Sequence, residues 1–305
     1  MADRVAYDEF GMFHENAEEF GIPFRAPTVR RESVVLPDGR QISSLVWGTG
    51  DPEIVLLHGG GQNAHTWDTV ALALGRPLLA IDLPGHGHSD SSRPGTVVTS
   101  ANAEDVAPVI RALAPNARVV VGMSMGGLTT LALSLHAPEL VKSAILVDVT
   151  PGVTRDQASQ IIGFLNGPVT FADFDEILAR TVEFNPTRSE QSLRRGILHN
   201  AEQLDDGSWV WRHQRHRLDG EVEAPSAENA PELDFDDLWN AVAQIKGPIC
   251  LARGMRSQSV VSDEDEAEML RRNPSASVVH FDESGHSLQG DEPVKLAGLI
   301  DDFIA

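Results

Sequence analysis

Apolar positions along the chain follow two alternating rhythms. Short aliphatic runs closed by Gly, Asp or Pro recur at Ile54–Leu57, Leu78–Ile81, 119–121, Ala144–Val147, 249–252 and Ser277–Phe281. Unbroken runs of this kind suit strands buried on both faces. Between them, apolar residues return every three or four positions over 102–113, 127–136, Asp263–Arg272 and Pro293–Ile304, which predicts helices. Strand-helix alternation predicts a mostly parallel, doubly wound sheet with right-handed crossovers. Two earlier strand-like segments, 32–36 and 43–47, flank the turn Pro37-Asp38-Gly39.

The alternation breaks after Pro151 and resumes near Ala243. The intervening stretch is mostly helical in pattern and carries little strand signal; its odd member is Asp205-Asp206-Gly207-Ser208-Trp209-Val210-Trp211. The chain therefore divides into an acidic helical extension (1–31), an α/β core (32–150 and 244–305) and an inserted helical cap (151–243).

A chain of 305 residues has room for one large core and such an insertion. No apolar run approaches the roughly 18 residues needed to cross a bilayer. The first twenty residues are acidic and lack the basic-then-apolar order of a secretory signal. The single cysteine, Cys250, lies in the apolar run at 248–252 and reads as a buried, inert thiol. These features point to the cytoplasm. A formal net charge of −21 argues against nucleic acid or anionic membranes as partners. The acidic residues, dense near the N-terminus and over 221–237, read as a solvated surface.

The strongest chemical signal is Gly122-Met123-Ser124-Met125-Gly126-Gly127, between a strand-like run and a helical pattern. Gly-x-Ser-x-Gly in that setting holds a serine hydroxyl on a tight strand-to-helix turn above the sheet. The helix that starts there directs its positive end toward developing negative charge. Upstream, His58-Gly59-Gly60-Gly61 closes the run Ile54–Leu57. Amides on a glycine turn can hold the oxyanion of a tetrahedral intermediate; the two donors are assigned to Gly60 and Met125. His58 is expected to brace this loop. Near the other end, Glu283-Ser284-Gly285-His286-Ser287 follows the last strand-like run, where the base of such a serine belongs. Ser124 as nucleophile and His286 as general base should meet within hydrogen-bonding reach.

The carboxylate that orients the histidine is less evident. After the run 249–252 the sequence offers Ser257 and Gln258 where an acid is expected, and the first carboxylate is Asp263. Asp148, at the end of Ala144–Val147, can reach the same imidazole and is preferred to Asp263, or to no acid. Asp82, in Asp82-Leu83-Pro84-Gly85-His86-Gly87-His88-Ser89, is expected to bind loop amides. His86 and His88 lack a wider ligand set, so no metal site is assigned, and His213 and His216 read as non-catalytic. Gly59 and Trp67 are candidates for the substrate pocket, with Trp209 and Trp211 more suited to packing in the cap.

The order His-Gly-Gly-Gly, Asp-Leu-Pro-Gly-His-Gly-x-Ser, Gly-Met-Ser-Met-Gly-Gly and Ser-Gly-His-Ser resembles the α/β-hydrolase family over residues 32–305. The segments 56–68, 81–89, 193–212 and 284–293 are similar to actinobacterial carboxylesterases that act on short acyl esters under a mobile helical cap. The resemblance implies Ser124 and His286 as catalytic and Gly60 and Met125 as oxyanion donors. The sequence departs from the commonest pattern at Ser257-Gln258, and Asp148 occupies the position used by relatives whose acid follows the earlier strand. The expected activity is hydrolysis of a small-molecule carboxylic ester of short to medium acyl chain through an acyl-enzyme, with no cofactor. Two alternatives share the fold. One is a carbon–carbon bond hydrolase, for which Arg194 or Arg195 could bind a substrate carboxylate. The other is a catalytically weak small-molecule-binding protein.

Overall fold

The computed structural model describes residues 4–93, 96, 98–213 and 235–305. Six strands form before the insertion: β1 (Val29–Val35), β2 (Gln41–Trp47), β3 (Ile54–Leu57), β4 (Leu78–Ile81), β5 (Val119–Met123) and β6 (Ala144–Val147). Within the insertion lie the short strands β7 (Thr170–Phe171), β8 (Ala201–Gln203) and β9 (Trp209–Trp211). The main sheet ends with β10 (Ile249–Gly254) and β11 (Ser277–Phe281). Its order is β1-β2-β4-β3-β5-β6-β10-β11. Only the β1–β2 and β2–β4 pairings are antiparallel. All later pairings are parallel, as the alternation predicts.

The central strands are apolar on both faces because both faces are covered. In β3, Val55 and Leu57 point into one core cluster while Ile54 and Leu56 point into the other. The first cluster is closed by α3 (Val98–Leu113), α4 (Met125–His136), α8 (Phe235–Gln244) and α9 (Asp263–Arg272). The second is closed by α1 (Phe13–Glu19), α2 (Asp68–Leu74) and α11 (Pro293–Ile304). Each fully buried aliphatic side chain contributes about 1.5–3 kcal/mol relative to exposure.

The insertion holds α5 (Ser159–Leu165), α6 (Phe174–Phe184) and α7 (Glu190–Asn200). It also contains a three-stranded antiparallel sheet, β7-β9-β8, where the pattern gave little sign of strands. Strands of two or three residues are too short to establish a two-residue period, and Trp209 and Trp211 read equally well as helix packing. Both indoles are buried in a separate apolar cluster with Phe171, Ile177 and Ile197. The short α10 (Leu288–Asp291) links the last strand to α11.

The chain leaves β3, β5, β6 and β11 at the same carboxyl edge of the sheet. That edge is where open α/β sheets place their ligand crevices.

Candidate active site

Ser124 is the hinge between β5 and α4, with φ 52° and ψ −119°. This backbone is uncommon for a residue with a side chain and is characteristic of strained functional turns. The flanking glycines are required by contact. A Cβ on Gly122 would stand 2.3 Å from the carbonyl oxygen of Gly126, and one on Gly126 would stand 2.3 Å from that of Leu57. Any larger residue would push β5, α4 and β3 apart, which explains why the motif needs small residues two positions either side of the serine.

Asp148 follows β6 and is fully buried, with φ 47°. Its Oδ1 accepts from Gly254 N–H (2.9 Å) and Ser259 Oγ (2.6 Å), and its Oδ2 accepts from Val260 N–H (3.1 Å). Oδ2 also lies 2.8 Å from Nδ1 of His286. With Nδ1–H directed at the carboxylate, His286 presents Nε2 as its lone-pair nitrogen. That Nε2 is buried and has no hydrogen-bond partner among the described residues. Ser124 and His286 line one cavity of about 470 Å³. No hydrogen bond joins the serine hydroxyl to Nε2, contrary to expectation. Catalytic contacts of this kind are often long in a free enzyme and tighten with substrate. Asp263 is elsewhere: its side chain is 86% exposed on the first turn of α9 and pairs with Arg253 at 2.7 Å.

The turn after β3 carries Gly59, Gly60 and Gly61 along the cavity wall. The N–H groups of Gly60 and Met125 have no acceptor among the described residues, so both remain available to an incoming oxygen. His58 braces this turn from beneath. Its Nδ1 meets the Gly59 carbonyl at 2.8 Å and its Nε2 accepts from Leu83 N–H at 2.9 Å. Complete burial, with His86 nearby, pushes its pKa down to about 3, which keeps the ring neutral. His86 Nε2 accepts from Gly61 N–H at 3.1 Å. Asp82 accepts from Ala64 and His88 amides at 2.8 and 3.0 Å and pairs with Arg31 at 2.7 Å.

Trp67 is 1% exposed in the core beside Phe13 and Trp47, outside the cavity wall, so the expected pocket role gives way to packing. Gly59 and, from the insertion, Trp211 do line the cavity. His213 lies against His86 and Trp211. His216, and most of the acidic stretch 221–237, fall outside the described residues.

A buried cluster under the same cavity was not legible in the sequence. His65, Asp68 and His199 bring their ligand atoms within 4.8 Å of one another. The two imidazoles stack at 3.8 Å and 9°. Both ring nitrogens of His65 are already engaged, Nδ1 by Asp68 at 2.9 Å and Nε2 by Glu9 at 3.1 Å, so a metal ion would have to displace one of these carboxylates. Burial opposes charge on His65, but Asp68 and Glu9 raise its pKa to about 9. Burial and the neighbouring imidazolium hold His199 well below its usual value.

An α/β sheet with its serine on a strained strand-to-helix turn, and a histidine–carboxylate pair at the same edge, defines the α/β-hydrolase class. Residues 54–299 match the Alpha/beta hydrolase family, and the chain belongs to it. It is 42% identical to Esterase Rv0045c of Mycobacterium tuberculosis over 96% of this chain and 94% of that protein. The crystal structure of that esterase covers 98% of this chain and 99% of its own, with a TM-score of 0.82. A more distant relative, the sn-1-specific diacylglycerol lipase ABHD11 of Xenopus laevis, is 27% identical over 83% of this chain and 80% of that protein.

Proposed function

We propose that the protein is a serine carboxylesterase that hydrolyses small-molecule esters of short to medium acyl chain. Ser124 attacks the ester carbonyl as His286 Nε2 takes the hydroxyl proton. Asp148 fixes the imidazole tautomer and stabilises the imidazolium. The Gly60 and Met125 amides receive the oxyanion. His286 then protonates the departing alcohol, and a water activated by the same nitrogen hydrolyses the acyl-enzyme.

The observation that carries this reading is the Asp148–His286 hydrogen bond, with the opposite imidazole nitrogen free in a cavity that Ser124 also lines. Two further points support it. One relative of known structure, Esterase Rv0045c, is 42% identical. Among the described residues no helix is long and apolar enough to cross a membrane, in keeping with a substrate taken from solution. In this reading α5, α6, α7 and the small sheet serve as the cap that closes the acyl pocket, and the cytoplasm is the setting that suits the lone buried thiol.

A panel of 4-nitrophenyl esters tests the assignment. Wild-type protein should turn over acetate to hexanoate esters, and Ser124→Ala should lower kcat by at least about 10³-fold. Equal activity in the two proteins would remove Ser124 from the mechanism. Inactivity of both, with a small ligand still bound, would favour the binding-protein alternative.

A further inference from the structure

Arg194 and Arg195, the cap guanidiniums singled out in the sequence, are both occupied. Arg194 lies over the Phe174 ring at 4.8 Å. Arg195 donates to Asn16 and Glu19 and has Glu15 at 3.6 Å. Arg188, between α6 and α7, is different. It lines the same cavity as Ser124 and His286. Among the described residues its only side-chain hydrogen bond is from Nη2 to Ser192 Oγ, and its buried Nε has no acceptor. Among the described residues it makes no ion pair.

Asp291 and Glu19 lie near enough to favour its charge, but neither is hydrogen-bonded to it among the described residues. Asp291 is engaged by Gly285 N–H and Thr187 Oγ1 at 3.0 and 3.1 Å. Glu19 is engaged by Arg195 and Ser189. Burial is the largest influence on Arg188 and pushes its pKa down, yet a guanidinium stays charged at any accessible pH. A chain of net charge −21 thus keeps in its pocket wall a buried guanidinium that has no carboxylate in direct contact and an unused Nε–H. An unpaired buried charge is costly unless something compensates it.

The guanidinium packs against Gly290, in the turn of α10 four residues past His286. A Cβ there would stand 2.4 Å from Arg188 Nη1, so a side chain at this position would push the guanidinium aside. The Ser192 hydroxyl accepts from Arg188 and retains its own proton for an anion at the same place.

We propose that Arg188, with Ser192, forms a carboxylate-binding subsite of this pocket, and that the preferred substrates are esters bearing a free carboxylate at the end remote from the scissile bond. The proposal rests on the esterase reading for its chemistry, but the subsite itself is a binding site and can be measured without turnover. A carboxylate meets the planar fork with two parallel, charge-assisted hydrogen bonds, a geometry that an ammonium does not reproduce.

Mono-4-nitrophenyl esters of straight-chain dicarboxylic acids, from succinic to suberic, should be compared with 4-nitrophenyl esters of the monocarboxylic acids of equal length. At the chain length that spans the pocket, wild type should favour the anionic ester. Arg188→Met should lose at least about tenfold in kcat/KM on that ester and less than about twofold on its neutral counterpart, with Arg188→Lys between them. Separately, the free dicarboxylates should raise the thermal midpoint of Ser124→Ala but not of Ser124→Ala combined with Arg188→Met. Neutral esters preferred at every length, equal losses on both ester types, or no midpoint shift in Ser124→Ala would each overturn the subsite. If Arg188→Met does not fold, wild-type preference and the Ser124→Ala shift still decide. Failure to hydrolyse any ester, with the dicarboxylate shift intact, would instead overturn the esterase reading.

Discussion

Among the described residues two non-glycine residues have positive φ, Ser124 at 52° and Asp148 at 47°, at the ends of adjacent strands. Ser124 lines the cavity, and Asp148, buried, is held by Gly254, Ser259, Val260 and His286. Asparagine tolerates this backbone region, so Asp148→Asn is a fair test of charge and hydrogen bonding over conformation. It should lower kcat for ester hydrolysis by about 10²–10⁴-fold, because the amide no longer enforces the productive tautomer. Asp263→Asn should change it by less than about twofold. The reverse ranking in parallel assays would move the orienting acid to the later loop. At this scale Ser124 and His286 were readable because local spacing constrains them. Asp148 was readable only as one of several options, since its choice depends on which carboxylate the fold brings to Nδ1.

Among elements, the N-terminal segment does more than extend the chain. Phe13 of α1 packs on Trp47 with ring centroids 4.9 Å apart. Tyr7 bonds to His199 of α7 at 2.9 Å. Glu9 joins Arg31 of β1 to His65 in the turn before α2. The segment therefore ties the insertion to the core. Burial disfavours the Glu9 charge, but hydrogen bonds from His65 and Arg31 outweigh it and hold the pKa at about 2 instead of 4.5. A lowered carboxylate adds stability above its unfolded value and loses it as pH falls through the folded one. The thermal midpoint of wild type should therefore exceed that of Glu9→Gln near neutrality, and the two should converge between about pH 4.5 and 2. His65, raised from 6.5 to about 9, acts in the opposite sense: its contribution is complete below 6.5 and disappears as pH rises through 9. A pH series of melting curves checks both limbs; a constant gap between wild type and Glu9→Gln would remove Glu9 from this linkage.

Across the whole molecule, a net charge of −21 imposes self-repulsion that the folded state concentrates. Raising sodium chloride from low ionic strength to physiological levels should screen this and raise the thermal midpoint by a few degrees, as calorimetry can follow. A midpoint that falls would mean that local ion pairs such as Arg40–Asp105 outweigh the repulsion. The molecule also separates what the sequence determined from what required the fold. The core strands, the crossover helices and the serine turn were set locally, because burial on two faces writes continuous apolar runs and a tight turn needs glycine two positions either side of the serine. The insertion's small sheet, the stacked His65–His199 pair and the open Arg188 guanidinium were decided only in three dimensions. Their partners lie far apart in the chain, as at 65 and 199, and a side chain's partner, or lack of one, has no signature in the residues next to it.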